Sequence, residues 1–205
     1  MLGRIPFLAS LALFASAVMA SALGDPPGTP ASRQQEQERV AAAEPQRSIV
    51  LFSTIVTVLK HPRCLNCHTA TDFPRQDDDR YRHLMNVARG ADDHGMPALR
   101  CNTCHGKANS PAGVPGNPAW ALAPLRMQWE TLSDGELCRS LTDPMRGGMT
   151  FPQLTHHLGE DSLVAWAWDP GVDLNGRPRQ KPPLSREAFM KLVRQWIDTG
   201  AACPA

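Results

Sequence analysis

The 205-residue chain lacks most of what would mark a nucleic-acid binder, a membrane protein or a large enzyme. It has no surplus of charge: 21 Lys+Arg stand against 20 Asp+Glu, where a nucleic-acid-binding surface would carry a basic excess. No apolar run reaches the roughly 20 residues that a membrane-spanning helix needs. No cysteine follows the N-terminal apolar run, so a lipoprotein anchor has no attachment point. Aromatics are scarce at 6%, leaving few large rings to fill a core. Motifs of nucleophilic catalysis and phosphate binding are absent, and the length suits one domain with a leader.

Proline and glycine are abundant, at 19 and 15 residues, with proline at about twice its usual share. Short elements joined by long loops are therefore expected. Arg4 precedes an apolar stretch from Ile5 to Val18, and Ala20-Ser21-Ala22 supplies the small residues a signal peptidase reads. Residues 1–22 are thus expected to be a cleaved signal peptide, which places the mature chain in the periplasm. Removing Arg4 leaves the mature polypeptide formally neutral. Residues 23–46, rich in Pro, Gln, Glu and Ala, read as a flexible linker, with at most a helical turn or two over Gln34–Ala43. The packed domain is expected over 47–205.

Two pentapeptides dominate the reading: Cys64-Leu65-Asn66-Cys67-His68 and Cys101-Asn102-Thr103-Cys104-His105. Cys-x-x-Cys-His is the attachment sequence of c-type haem. In a helical turn, residues at i, i+3 and i+4 share a face. Two thiols then meet the vinyl edges of one porphyrin, and the histidine falls beneath the iron. Competing readings are weaker. A zinc site from two Cys-x-x-Cys pairs gives no reason for a histidine after each pair. A thioredoxin-like motif would need a βαβ context, and a disulfide within each pair is geometrically tight. Two covalent haems are therefore expected on Cys64, Cys67, Cys101 and Cys104, with His68 and His105 as proximal iron ligands.

The far side of each iron calls for another histidine or methionine, or stays open for chemistry. His83 is the first choice, on a short helix expected over Asp78–Val87 and ended near Gly90. His157 is the second, at i+3 from Leu154 on a helix opened by the capping box Thr150-x-x-Gln153, with His156 facing out. Met127, Met85 and His94 remain candidates. Unequal ligation would separate the two potentials and give electron flow a direction.

The remaining cysteines, Cys138 and Cys203, are expected to pair in an oxidising compartment. Phe52, Ile55, Val56 and Leu59 recur with helical spacing before the first motif, so a helix, or alternatively a strand given the β-branched content, is expected there to pack against the first haem. A last helix over Ser185–Thr199 is expected to bury Phe189, Leu192, Val193, Trp196 and Ile197, with Gly200 as its stop. Trp166 and Trp168 read as a core or haem-edge wall.

The run His61-Pro62-Arg63-Cys64-Leu65-Asn66-Cys67-His68 resembles small exported dihaem cytochromes c. So do Leu99-Arg100 before the second motif, Leu122-Ala123-Pro124, Trp168-Asp169-Pro170-Gly171 and Trp196-Ile197-Asp198-Thr199-Gly200-Ala201-Ala202-Cys203-Pro204. The resemblance covers residues 49–204 and extends to proteins labelled subunits of isoquinoline 1-oxidoreductase, a molybdenum hydroxylase system. It implies a mostly helical, cytochrome c-like domain of short helices and long loops wrapped around two haems. It also implies redox partner proteins, among them a periplasmic dehydrogenase or molybdenum hydroxylase. No residue here marks a site for molybdopterin or isoquinoline. The rival enzyme reading is a small haem peroxidase or oxidase with one open iron, and the rival binding reading is a haem-based sensor.

Overall fold

The computed structural model describes residues 28–205, so the expected signal peptide lies outside the described residues. The chain divides into two units, residues 1–39 and 40–205.

The first helix, α1, runs Pro30–Leu59. The segment expected to be a flexible linker is thus helical from Pro30 onward, even though Pro45 cannot donate to the carbonyl four residues back. Its Ala, Gln, Glu and Arg content has strong helix propensity. Side-chain pairs at helical spacing add to it, such as Gln34 to Glu38 at 3.2 Å. The composition still decides burial, because the first buried residue is Ser48, beside the expected domain start. From there α1 buries Phe52, Ile55, Val56, Val58 and Leu59.

Four further helices complete the apolar core: α2 over Pro62–Leu65, α3 over Asp134–Thr142, α4 over Phe151–Glu160 and α6 over Arg186–Asp198. A short α5, Ser162–Ala165, links α4 to α6. Leu137, Leu141, Leu154, Leu158, Phe189, Met190, Val193 and Trp196 join the buried face of α1 in one cluster. Ser48 fits there because its hydroxyl donates to the Trp196 carbonyl at 3.3 Å and accepts from the Ala202 amide at 2.8 Å. Gly200, at φ 91°, ends α6 as expected. Met190 takes a core position in α6, with Leu192 and Ile197 at its margin.

Both capping boxes form. Ser133 Oγ accepts from the Glu136 amide while Glu136 accepts from the Ser133 amide, and Thr150 and Gln153 repeat the arrangement for α4. Ser133→Ala should therefore destabilise the protein by about 1 kcal/mol, measured by denaturant unfolding. Cys138 of α3 is bridged to Cys203, with Cα atoms 5.6 Å apart.

Between Asn66 and Leu132 the chain is mainly loop, with two antiparallel hairpins: β1 (Arg75–Gln76) with β2 (Tyr81–Arg82), and β3 (Gly95–Met96) with β4 (Leu99–Arg100). The helix expected over Asp78–Val87 is therefore not formed. The chain turns through Asp77 and Arg80, both at positive φ, and Leu84–Asn86 makes a single 3-10 turn with Met85 at φ 63°. Tertiary ion pairs outweigh local propensity here: Asp78 pairs with Arg63, Asp77 with Arg179 and Arg80 with Glu130. Gly90 is needed for a different reason than a helix stop. At φ 74°, a Cβ there would lie 2.2 Å from the Gly95 carbonyl oxygen.

Candidate functional site

Both Cys-x-x-Cys-His segments fold into the same hydrogen-bonded turn. In the first, the amides of Cys67 and His68 donate to the Cys64 carbonyl at 3.2 and 3.0 Å. In the second, Cys104 and His105 donate to the Cys101 carbonyl at 3.3 and 3.0 Å. At the second motif the i, i+3, i+4 spacing puts both thiols and the imidazole on one surface, whereas in the first motif Cys64 packs against the apolar core.

The two histidines are also held alike. Nδ1 of His68 lies 2.8 Å from the Met127 carbonyl, and Nδ1 of His105 lies 2.7 Å from the Pro115 carbonyl. A carbonyl only accepts, which assigns the proton to each Nδ1 and leaves the Nε2 lone pair free. His68 stacks on Trp129, with centroids 3.5 Å apart and planes at 7°, and His105 stacks on Trp120, at 4.4 Å and 11°. Burial pushes the His68 imidazole down to about 4, against the opposing pull of its Met127 hydrogen bond. Burial lowers His105 as well. Both rings are then neutral at pH 7, the form that ligates metal.

All four motif thiols are free. Burial pushes Cys64 up to about 12 and Cys67 up to about 11, so at neutral pH neither is a thiolate. Among the described residues, no three His, Cys, Asp or Glu side chains converge as a metal-holding cluster. The thiols are therefore not gathered into one tetrahedral zinc site.

A cavity of about 260 Å³ opens beside the second motif. Cys101, Cys104 and His105 line it, Cys67 reaches it from the first motif, and His83 lines it too. Nδ1 of His83 is 2.7 Å from the Leu84 carbonyl, so its free nitrogen is again Nε2. The ring centroids of His83 and His105 are 5.9 Å apart, with planes at 67°. Two imidazoles on opposite sides of one metal ion need about 6 Å, from about 2 Å of metal–nitrogen bond and about 1 Å of ring radius on each side. The separation of His83 and His105 is close to that value.

The other distal candidates are placed differently. His157 shares a void of about 10 Å³ with Met127, Trp129 and Met149, beside the residues that back His68. His157 also sits 3.4 Å from Asp161. Met127 offers His68 its carbonyl, on the Nδ1 side of the ring and away from Nε2. His94 is exposed in its turn, bonded to the Asp92 carbonyl. Met85 is 78% exposed at the cavity rim. His156 faces out, as expected, toward Glu160. The first motif has the turn, the thiols and the fixed imidazole, and through Asn66 and Cys67 it lines the cavity beside the second.

Several supporting residues carry no signal in the motif spacing. Trp120 and Trp129 are two, found only because each lies flat on a motif histidine. Trp166 stands edge-on to Trp120 at 4.8 Å and lines the cavity, its Nε1 held by Asn109 at 2.7 Å. Trp168 turns instead to the core, against Phe189. Two buried arginines gather the loops. Arg89 donates to Asp93 and to the carbonyls of Thr69, Thr71 and Ala123. Arg179 donates to Asp77 and to the carbonyls of Gly113, Pro170 and Val172.

Glu130 fixes the exit from the first motif. Its carboxylate accepts from the Ala70 amide and Thr69 hydroxyl, at 2.9 and 2.8 Å, and pairs with Arg75 and Arg80. Burial pushes this carboxyl up, but those donors and arginines outweigh it and hold it below the usual range. Its stabilisation is then complete above the ordinary glutamate pKa and lost as pH falls through the lower folded value. With the side chain 17% exposed, Glu130→Gln should cost about 2 kcal/mol at pH 7. The difference from the parent protein should shrink in acid, as read by unfolding at a series of pH values.

No helix among the described residues is long and apolar enough to cross a membrane. Comparison with known proteins returns no matching family model, curated protein or solved structure.

Proposed function

We propose that the chain is a periplasmic dihaem c-type cytochrome that relays single electrons from a dehydrogenase or hydroxylase partner to a downstream acceptor. The observation that carries this reading is the duplicated unit: a Cys-x-x-Cys-His turn whose imidazole is tied at Nδ1 to a carbonyl and laid on a tryptophan, built twice from unrelated flanking sequence. When bound, haem supplies one-electron cycling between ferric and ferrous iron.

The chain's own residues have distinct parts in this reading. Cys64, Cys67, Cys101 and Cys104 would hold the two haems covalently through sulfur. His68 and His105 would each ligate an iron through the free Nε2, and His83 would supply a second imidazole at the second motif. The Met127 and Pro115 carbonyls hold the tautomer and ring direction that ligation needs. Trp120 and Trp166 form an apolar wall that keeps water off the second site. Cys104 is exposed, so the second group would present an edge to a partner protein.

Electron paramagnetic resonance and magnetic circular dichroism of the oxidised protein test this reading. The expected result is low-spin iron with a bis-imidazole signature at one haem. Rapid CO or cyanide binding with peroxide turnover would instead favour a small peroxidase or oxidase.

A further inference from the structure

Arg63 immediately precedes the first attachment cysteine, yet its guanidinium faces the second site. It lies 6.0 Å from the centroid of Trp166, the ring packed edge-on to the Trp120 that supports His105. Arg63 also lines the cavity shared with His83 and Cys101. Its side chain is only 1% exposed. One terminal nitrogen is used by Asp78, while Nε is buried without a hydrogen-bond partner. Asn66 Oδ1 is likewise buried, unpartnered and part of the same wall.

Arg179, similarly buried in the same wall, shows the contrast. All three of its nitrogens are engaged, by Asp77 and three backbone carbonyls. Arg75 of the same wall also has a buried Nε without a partner, but its side chain is 27% exposed, so the enclosed guanidinium is that of Arg63. A guanidinium has five donors arranged as a planar fork, and leaving a charged donor buried and unpaired is costly. The ligand that best answers such a fork is a carboxylate, which can take two parallel N–H bonds and neutralise the charge.

We infer that Arg63 binds a propionate carboxylate of the haem held by Cys101 and Cys104, so that a residue of the first motif positions the cofactor of the second. This inference rests on the haem reading. A cation kept beside the second iron favours the reduced state, so Arg63 raises that site's potential relative to a variant without the charge. Asn66 Oδ1 then accepts from a water at the carboxylate or from the carboxyl itself when protonated.

The test uses the holoprotein with Arg63→Gln and Arg63→Lys, and reads haem count by mass, propionate bending bands by resonance Raman, and both midpoint potentials. Two haems are expected in every protein. In Arg63→Gln one propionate band should move, and the potential of the bis-imidazole haem should fall by more than that of the other haem. Arg63→Lys should restore most of the potential but not the band position, because lysine lacks the fork. Asp78→Asn provides a second arm in case the glutamine variant does not accumulate. It releases the paired nitrogen of Arg63 toward the carboxylate and should move the same band in the opposite direction. Unmoved propionate bands with both haems attached, or a larger potential shift at the first haem, would overturn the inference. Absence of haem from the parent protein would overturn the underlying reading instead.

Discussion

If the chain carries the two proposed haems, replacing His83 by alanine should leave both covalently attached and convert one of them from low-spin to high-spin. The attachment thiols and the near-side imidazoles are untouched by this change. His83 acts only across the cavity, 5.9 Å from the His105 ring. The ring is partly exposed, and its own amide is bonded to the Pro74 carbonyl at 3.0 Å, so the backbone that carries it should survive truncation. Losing an imidazole ligand also removes a donor that favours ferric iron, so the potential of that haem should rise. Added imidazole should restore the low-spin spectrum by entering the space that the side chain vacated. Absorption and electron paramagnetic resonance spectra identical to those of the parent protein would remove His83 from the ligand set.

The Cys138–Cys203 bridge should give the largest stability effect. It joins α3 to the C-terminal segment across a sequence separation of 65 residues. Loop-closure entropy for such a span corresponds to about 4 kcal/mol. Neighbouring contacts show that the two segments are fitted closely. Arg139 donates to the Pro204 carbonyl at 3.0 Å, and a Cβ on Gly135 would lie 2.4 Å from the Pro204 oxygen. The Cys138→Ala/Cys203→Ala protein should therefore keep its spectra but lose about 4 kcal/mol in guanidinium unfolding. A loss below about 1 kcal/mol would mean that packing alone holds the C-terminus in place.

Much of the helical core was legible because its signals are local. The capping boxes at Ser133 and Thr150, the apolar stripe of α6, and Gly200 after it are all set by residues within a turn of one another. Pairing Cys138 with Cys203 needed only counting and a compartment. The two Cys-x-x-Cys-His turns are local in the same way, each closed by hydrogen bonds within five consecutive residues.

The long-range parts were not legible. Residues 78–87 look helical by composition, yet Asp77 and Asp78 are drawn to Arg179 and Arg63, partners 102 and 15 residues away. Nothing near Arg179 in the sequence, a stretch of prolines and charges, signals that it will be buried as a clamp. The Trp120 and Trp129 platforms are equally hidden, because a tryptophan stacked on histidine and one packed in a core share the same local pattern. His157 lies half-buried on α4, as its helical phase predicted, beside Asp161. The helix over 30–46 escaped because composition reports exposure well and backbone conformation poorly. Aromatics are few, yet all five tryptophans are used: Trp120, Trp129 and Trp166 at the candidate sites, Trp168 and Trp196 in or against the core.

The central claim is that Cys64, Cys67, Cys101 and Cys104 carry two covalent haems. Intact mass of the denatured, purified protein, made in a host that matures c-type cytochromes, tests it most directly. The account predicts the polypeptide mass plus two haems, with none of these four cysteines open to alkylation. Polypeptide mass alone, with the four thiols alkylated or paired within each motif, would contradict it.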